Sequence, residues 1–453
     1  MTTLLEAAGQ LRARKVSSHE LVTESLARIR DLNPKLNAFL TVMEESALAA
    51  ARQADQELAA GKDRGPLHGI PVALKDNFYT KGVRTTDGSK LFTDYIPDHD
   101  SAVAEKLHEA GAVTVGKTTM HELAYGITSN NLHFGTVHNP HHPDRIPGGS
   151  SGGSGAAVQS GMVFMAMGSD TGGSVRIPAA YCGTVGLKPT FGRVSRFGMF
   201  PLGYSLDHAG PLTRTCQDAV ATLNAISGYD PRDPSATPRP AENIRLEEPL
   251  FVKDLKIGVP ENFFFERIEP AVDQAVKKAL AHMEAQGATL IPVKVPDIAA
   301  INTAGRIILL AEASAWLESY HLNRRADISP EVVALLDQGR MISGTQYINA
   351  QRVRRNLTRD FAQIWKKVGV LATPTIPMGA PPIGAATVTL GGTEEDTRIA
   401  TTRFVRPINV LGVPAVSVPC GMTPDNLPIG IQIIGPPFGE RKVMTAGALC
   451  LSL

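Results

Sequence analysis

The stretch from Gly148 to Arg176 reads GGSSGGSGAAVQSGMVFMAMGSDTGGSVR, and it concentrates the residue types that could do chemistry. It holds two Gly/Ser turns, residues 148–153 and 169–174. Between them lie a small-residue helix expected over Ser154 to Gln159 and an apolar run, Met162 to Met167, expected as a buried strand. A flexible linker does not contain a buried strand, nor does it run on into Ile177-Pro178-Ala179-Ala180-Tyr181-Cys182. Glycine set densely beside serine lets backbone N–H groups point at a ligand from close range, which is how an oxyanion is held. Upstream, the apolar run Ile70 to Leu74 ends in Lys75 and Asp76. A lysine at the end of a buried strand either terminates it in solvent or, drawn into a desolvated pocket, loses its proton and serves as a base. The serine turns favour the base.

Other patterns are set aside. Gly111 to Thr118 matches the phosphate-loop pattern GxxxxGK[ST], but its variable residues Ala-Val-Thr-Val are strand formers, whereas a phosphate loop follows its strand. Gly148-Gly149-Ser150-Ser151-Gly152 fits the G-x-S-x-G elbow, yet the segment before it, His138 to Pro147, is a Pro- and His-rich loop instead of a strand. His133, His138, His141 and His142 have no metal-binding spacing, and Pro140 and Pro143 break any helix that could present them together. No metal site is expected.

The elements that must position these residues alternate. Helices are expected at Ser18 to Leu32 (stopped by Asn33-Pro34), Glu44 to Ala60, Ser101 to Ala110, Asp218 to Gly228 and Ala271 to Gln286. Thr119 to Leu123 also looks helical. Strands are expected at Ala112 to Val115, Leu255 to Val259, Thr289 to Val293, Val370 to Thr373, Ala415 to Val418 and Ile429 to Ile434. Residues 296–368 read as mainly helical, with Ala311 to Tyr320, Pro330 to Leu336 and Thr345 to Lys367, and the Pro-rich Arg232 to Pro240 as an exposed connection. This alternation implies an α/β fold, a central mixed and largely parallel sheet with helices on both faces. One domain is expected over residues 1–453, its core at about 60–225 and a helical substrate cap at about 296–368.

Composition agrees with a soluble globular protein with a sizeable core, 43% hydrophobic with a formal charge of +1. That balance gives no basis for nucleic acid as a partner. No apolar run reaches membrane-spanning length, and the first residues lack a signal-peptide pattern, so a cytoplasmic protein without a membrane partner is expected. The four cysteines, Cys182, Cys216, Cys420 and Cys450, are scattered and expected as buried thiols.

Taken together, residues 148–157, 168–180 and 183–190, with Gly69 to Asp76 upstream and Leu427 to Gln432 downstream, resemble the amidase signature family along nearly the whole chain. The resemblance implies a Ser–Ser–Lys triad: Ser174 as nucleophile, Ser150 (in a cis peptide in that family) as proton shuttle and Lys75 as base. It further implies an oxyanion hole from the N–H groups of Thr171, Gly172, Gly173 and Ser174, with Ser151, Asp170 and Arg176 supporting them from behind. The implied reaction is cleavage of an amide or carbamate C–N bond through an acyl-enzyme, with no cofactor. The expected partner is a small-molecule amide or carbamate, with a homodimer as the one self-association considered. The sequence also resembles the glutaminase subunit of tRNA-dependent amidotransferases, including residues 205–211 and the segment Tyr347 to Arg354, which in that subunit ends in an arginine gripping the glutamine carboxylate. Arg354 and Tyr347 are therefore candidate substrate contacts. Against that subunit, Thr402 stands where glutamine-specific members place an Asp, five residues ahead of Pro407, and the sequence reaches Leu453 soon after the last shared motif. A free-standing amidase is the expectation, and the glutaminase subunit is its alternative.

Overall fold

The apolar run ahead of Lys75 forms the strand Pro71–Lys75, buried at every residue. In this computed structural model, which describes residues 2–246, 252 and 255–452, that strand lies inside an eleven-stranded sheet. In spatial order the strands are Phe39–Val42, Val113–Thr118, Pro71–Lys75, Met165–Ser169, Ala209–Thr213, Val185–Lys188, Ala415–Met422, Pro428–Ile434, Val370–Pro374, Lys256–Pro260 and Thr289–Val293. The sheet is mixed, as expected. Its parallel share is smaller than expected. Pro71–Lys75 runs parallel to both neighbours and Lys256–Pro260 to both of its own, while the pairings between these two regions are antiparallel. Within that middle only Ala415–Met422 and Pro428–Ile434 are joined by a short return; the other neighbours come together from stretches well apart in the chain.

The register decides where chemistry can gather. Leu74 faces Met167 across a parallel pair, so Lys75 and Ser169 leave the sheet at the same carboxyl edge. In open α/β sheets ligands bind outside that edge. The helix Gly152–Gln159 packs over these strands because it has almost no side chains to hold it off. A methyl group at Gly153 would collide with the carbonyl oxygens of Thr119 and Ala38.

Several elements differ from expectation for visible reasons. The first long helix, Ser18–Leu36, opens with the expected capping box on Ser17 and Glu20 but passes through Pro34 before ending at Asn37 in the left-handed conformation. Proline in a last turn removes only one N–H, and the Asn33 side chain bonds both backbone groups of Phe39 to close the end. The apolar run Met162 to Met167 enters the sheet only at Met165, because pairing begins where Val72 meets it. Thr119 to Leu123 is not a helix: one 3₁₀ turn, Glu122–Ala124, is interrupted by left-handed Leu123 and Ala124.

The helices of residues 298–361 form a layer beside the sheet. Ile298–Trp316 is apolar and long enough to cross a membrane by composition, but it packs against Pro330–Arg340, Gly344–Phe361 and Arg406–Leu411. The four cysteines are buried and free.

The phosphate-loop lookalike is a strand. Val113–Thr118 includes Lys117, which is fully buried and reaches Asp76 at 3.4 Å, the Phe78 carbonyl at 2.7 Å and Thr85 Oγ1 at 2.8 Å. Burial pushes the Asp76 carboxyl up and the Lys117 amine down, against their mutual attraction. Removing one member of a buried pair strands the other. Lys117→Ala should therefore lower the unfolding free energy by about 3–5 kcal/mol in urea titrations, and magnesium ATP should leave the melting temperature of the unaltered protein unchanged.

Candidate active site

The structure brings Lys75, Ser150 and Ser174 together although they come from three separate segments. Lys75, at its strand end, has its Nζ 2.7 Å from Ser150 Oγ and 2.7 Å from Ser169 Oγ. The backbone N–H of Ser150 donates to Ser174 Oγ at 3.0 Å. Ser174 is 7% exposed, Ser150 1% and Lys75 not at all, so solvent meets the row only at Ser174. Ser150 is held on both sides: its carbonyl accepts from the His121 N–H, and Ser129 Oγ bridges the Gly149 carbonyl and the Gly152 N–H. Ser151 bonds both backbone groups of Ser169, tying the first serine turn to the strand that carries the second.

Desolvation sets the charge of the base. Burial lowers the Lys75 pKa to about 7, opposed by the fields of Asp87, Asp170 and Asp207. Burial also raises the Asp87 and Asp207 carboxyls, which weakens that opposition. A neutral amine can accept a proton along the same 2.7 Å line by which it is bonded to Ser150.

Asp170 organises the turn that bears Ser174. Its carboxylate accepts from the N–H groups of Gly173, Val175 and Arg176, from Arg176 Nε and Nη2, and from Asn409 Nδ2. Burial alone would raise this carboxyl, but the Arg176 guanidinium overrides it and holds the group well below the usual carboxylate range. Arg176 in turn reaches Gln432 Oε1 at 2.6 Å and Asn409 Oδ1 at 2.7 Å. Gly173 sits at φ +118°, where its missing side chain also spares a collision with Val405.

This arrangement corrects one expectation about the oxyanion hole. The Gly173 N–H is engaged by Asp170 Oδ1 at 2.8 Å. Among the described residues no acceptor meets the N–H groups of Thr171, Gly172 and Ser174. Thr171 is fixed through its hydroxyl, 2.5 Å from Asp207 Oδ1, and Asp207 also accepts from the N–H groups of Leu202 and Gly203.

A cavity of about 730 Å³ has Arg406 in its lining, whose Nε would lie 3.8 Å from a methyl group on Gly172; none of Lys75, Ser150 and Ser174 lines it. The helices Ile298–Trp316 and Pro330–Arg340 line one wall, and residues from 384 to 406 line another. Arg354 and Tyr347 do not line it. Arg354 donates to the Val410 carbonyl and to both oxygens of Ser205, and Tyr347 Oη donates to Glu312, which also binds Ser205. They brace helix Gly344–Phe361 against the 205 segment, and their polar atoms are engaged there. Thr402, the other residue weighed for substrate choice, turns its hydroxyl back to the Arg398 carbonyl in its own helix. Sequence reasoning missed Ser169, Asn77, Asp207 and Asn409. Ser169 was visible only as one serine among several in the second turn, with nothing to mark it as a partner of the amine.

No group of three or more His, Cys, Asp or Glu side chains that could hold a metal occurs among the described residues.

Known proteins share this fold and much of this sequence. Residues 20–444 match the Amidase family model. The A-type subunit of the glutamyl-tRNA(Gln) amidotransferase of Geobacillus stearothermophilus is 40% identical over 457 residues, spanning 96% of this chain and 93% of that protein. Among solved structures, an inhibitor-bound protein of a vestigial complex connected with the origins of an s-triazine catabolic enzyme superposes with a TM-score of 0.95 at 33% identity, covering 100% of this chain and 98% of its own. The A-type subunit of the glutamyl-tRNA(Gln) amidotransferase of Thermotoga maritima superposes with a TM-score of 0.83 at 35% identity, covering 99% and 94%.

The depressed amine carries a measurable signature. If neutral Lys75 is the base, kcat/KM should rise with pH through about 7, and Lys75→Arg should not restore the loss of Lys75→Ala because arginine stays protonated. The same shift has a stability sign. Below about pH 7 both folded and unfolded amines are charged and the burial cost is full; between there and the ordinary lysine value of 10.5 the unfolded chain binds the extra proton. Stability from this group therefore rises across that window, which urea titrations at pH 7 and pH 9 would report for wild type against Lys75→Met.

Proposed function

The chain belongs to the amidase family, and from that premise we propose that it cleaves the C–N bond of an amide through an acyl-enzyme on Ser174. The observation that carries this reading is the chain of contacts from Lys75 Nζ to Ser150 Oγ and from the Ser150 N–H to Ser174 Oγ. Neutral Lys75 takes a proton from the Ser150 hydroxyl, which takes one from Ser174 as its oxygen attacks the carbonyl carbon. The oxyanion that forms faces the N–H groups of Thr171, Gly172 and Ser174, where loss of a single donor typically costs about 10²–10³ in turnover. Ser150 returns the proton to the departing nitrogen, the C–N bond breaks, and a water deprotonated by the same relay releases the acid.

For the amide that is cut, sequence kinship backs the glutaminase subunit of an amidotransferase better than the free-standing amidase expected from the sequence. Curated relatives at 38–40% identity across almost their whole length support the subunit role. In that role the nitrogen is released from glutamine inside an assembly with other proteins. A separate amide hydrolase is supported by a specific observation: Arg354 and Thr402 lie outside the cavity lining, Arg354 spending three of its five N–H donors on Ser205 and Val410 and Thr402 turning its hydroxyl to Arg398. The superposition on a solved amidase, TM-score 0.92 at 33% identity, is also higher than the 0.83 on the Thermotoga subunit.

Ser174→Ala should reduce turnover of any substrate by at least about 10³-fold with an unaltered melting curve, and phenylmethylsulfonyl fluoride or a fluorophosphonate should add its mass at Ser174 of the wild type. Ammonia release by the purified chain from glutamine, aliphatic amides, anilides and carbamates decides between the two roles. Glutaminase activity that appears only with added partner subunits supports the amidotransferase role. Turnover of other amides by the chain alone supports the separate hydrolase.

A further inference from the structure

Five arginines line the cavity, Arg267, Arg306, Arg398, Arg403 and Arg406, against three carboxylates, Glu331, Glu395 and Asp396. The carboxylates are already engaged. Glu395 pairs with Arg267 at 2.9 Å and Arg403 at 3.0 Å, Glu331 pairs with Arg398 at 3.1 Å, and Asp396 caps the helix that begins at Thr397. Arg306 bonds only the neutral Gln338. Arg406 has no hydrogen bond and no ion pair among the described residues, and its Nε is sealed from solvent. The side chain as a whole is half-buried, so its guanidinium is unpaired within the protein while its stem is sealed.

Its position next to the reacting groups gives that isolation a meaning. A methyl group built on Gly172 would lie 3.8 Å from Arg406 Nε, so the guanidinium stem runs against the turn that presents the free N–H groups. On its other side, a methyl group on Gly305 would lie 3.6 Å from Arg406 Cγ and Cδ, so the side chain packs along helix Ile298–Trp316 there. Tyr125 lines the same cavity, and its buried hydroxyl also has no partner. Burial lowers the Arg406 pKa to about 10, and the neighbouring charges of Arg398 and Arg306 act in the same direction, so an anion would relieve the guanidinium on both counts.

We propose that Arg406, helped by the Tyr125 hydroxyl, binds a carboxylate on the substrate, and that this protein therefore acts on amides that carry an acid group. The guanidinium fork matches a carboxylate with two parallel N–H···O bonds, and the phenol supplies a third donor. The inference rests on the acyl-enzyme reading of Ser174. It assigns specificity to a residue on the cavity wall, independent of Arg354.

The test uses the monoamides of the straight dicarboxylic acids with two, three and four methylenes, each beside its neutral methyl ester, with ammonia release as the readout. At pH 8 at least one free acid should be hydrolysed with a kcat/KM about 10–100 times that of its ester, the range expected of a charge-assisted bidentate contact. Arg406→Gln should shrink that ratio at least about tenfold, mainly through KM, and Tyr125→Phe should shrink it by a smaller factor. A wild type that favours no acid over its ester overturns the proposal even if the variants fail to fold, and so does a folded Arg406→Gln variant that keeps the ratio. Fluorophosphonate labelling of wild-type Ser174 separates the two levels. Labelling without acid preference removes the carboxylate site alone, whereas no labelling and no turnover removes the acyl-enzyme reading beneath it.

Discussion

A carboxylate that water never reaches, Asp170, is what the nucleophile turn is built around. It collects backbone donors from its own loop and side-chain donors from Arg176 and Asn409, and it stays ionised because the guanidinium lies at 2.9–3.0 Å. Without that anchor the glycine-rich turn would have little to hold it, since glycine loses more freedom on folding than any other residue. The same anchor decides which N–H groups remain for chemistry. By engaging Gly173 it leaves those of Thr171, Gly172 and Ser174 without an acceptor among the described residues, and these are the donors that the proposed reaction would turn toward an oxyanion.

Two opposite electrostatic solutions thus lie side by side. Asp170 is buried and charged because it is over-supplied with donors, while Lys75 is buried and pushed toward neutrality because its near contacts are two serine hydroxyls and the surrounding acids are themselves raised by burial. The Lys117–Asp76 pair, one strand away, is the intermediate case. All three sit close to the carboxyl edge of the parallel strands, which explains why a sheet with an antiparallel middle keeps a parallel trio here. Only parallel neighbours send their last residues to one edge together.

Much of this was legible in the sequence for a local reason. The strand before Lys75 and the small-residue helix after Ser151 follow from short-range patterns, and the Gly/Ser turns announce close backbone approach. The illegible parts depend on what lies across from a residue. Pro34 looked like a stop because Asn33's bonds to Phe39 cannot be read from spacing. Arg354 looked like a ligand because nothing in its own helix reveals that Ser205 and the Val410 carbonyl absorb its donors. Arg406 is the converse case, since its significance is the absence of a partner, which no sequence pattern records.

The length of chain between the bonded groups of the nucleophile turn has a consequence for synthesis. Arg176 is tied to Asn409 and Gln432, partners 233 and 256 residues further on. While the chain is still emerging, Asp170 and Arg176 exist without the groups that complete their network, and the turn bearing Ser174 has no fixed shape. Contacts this distant in sequence form late. A nascent chain shorter than about this span carries Asp170 and Arg176 without Asn409 and Gln432, so their network is complete only once the far strand docks.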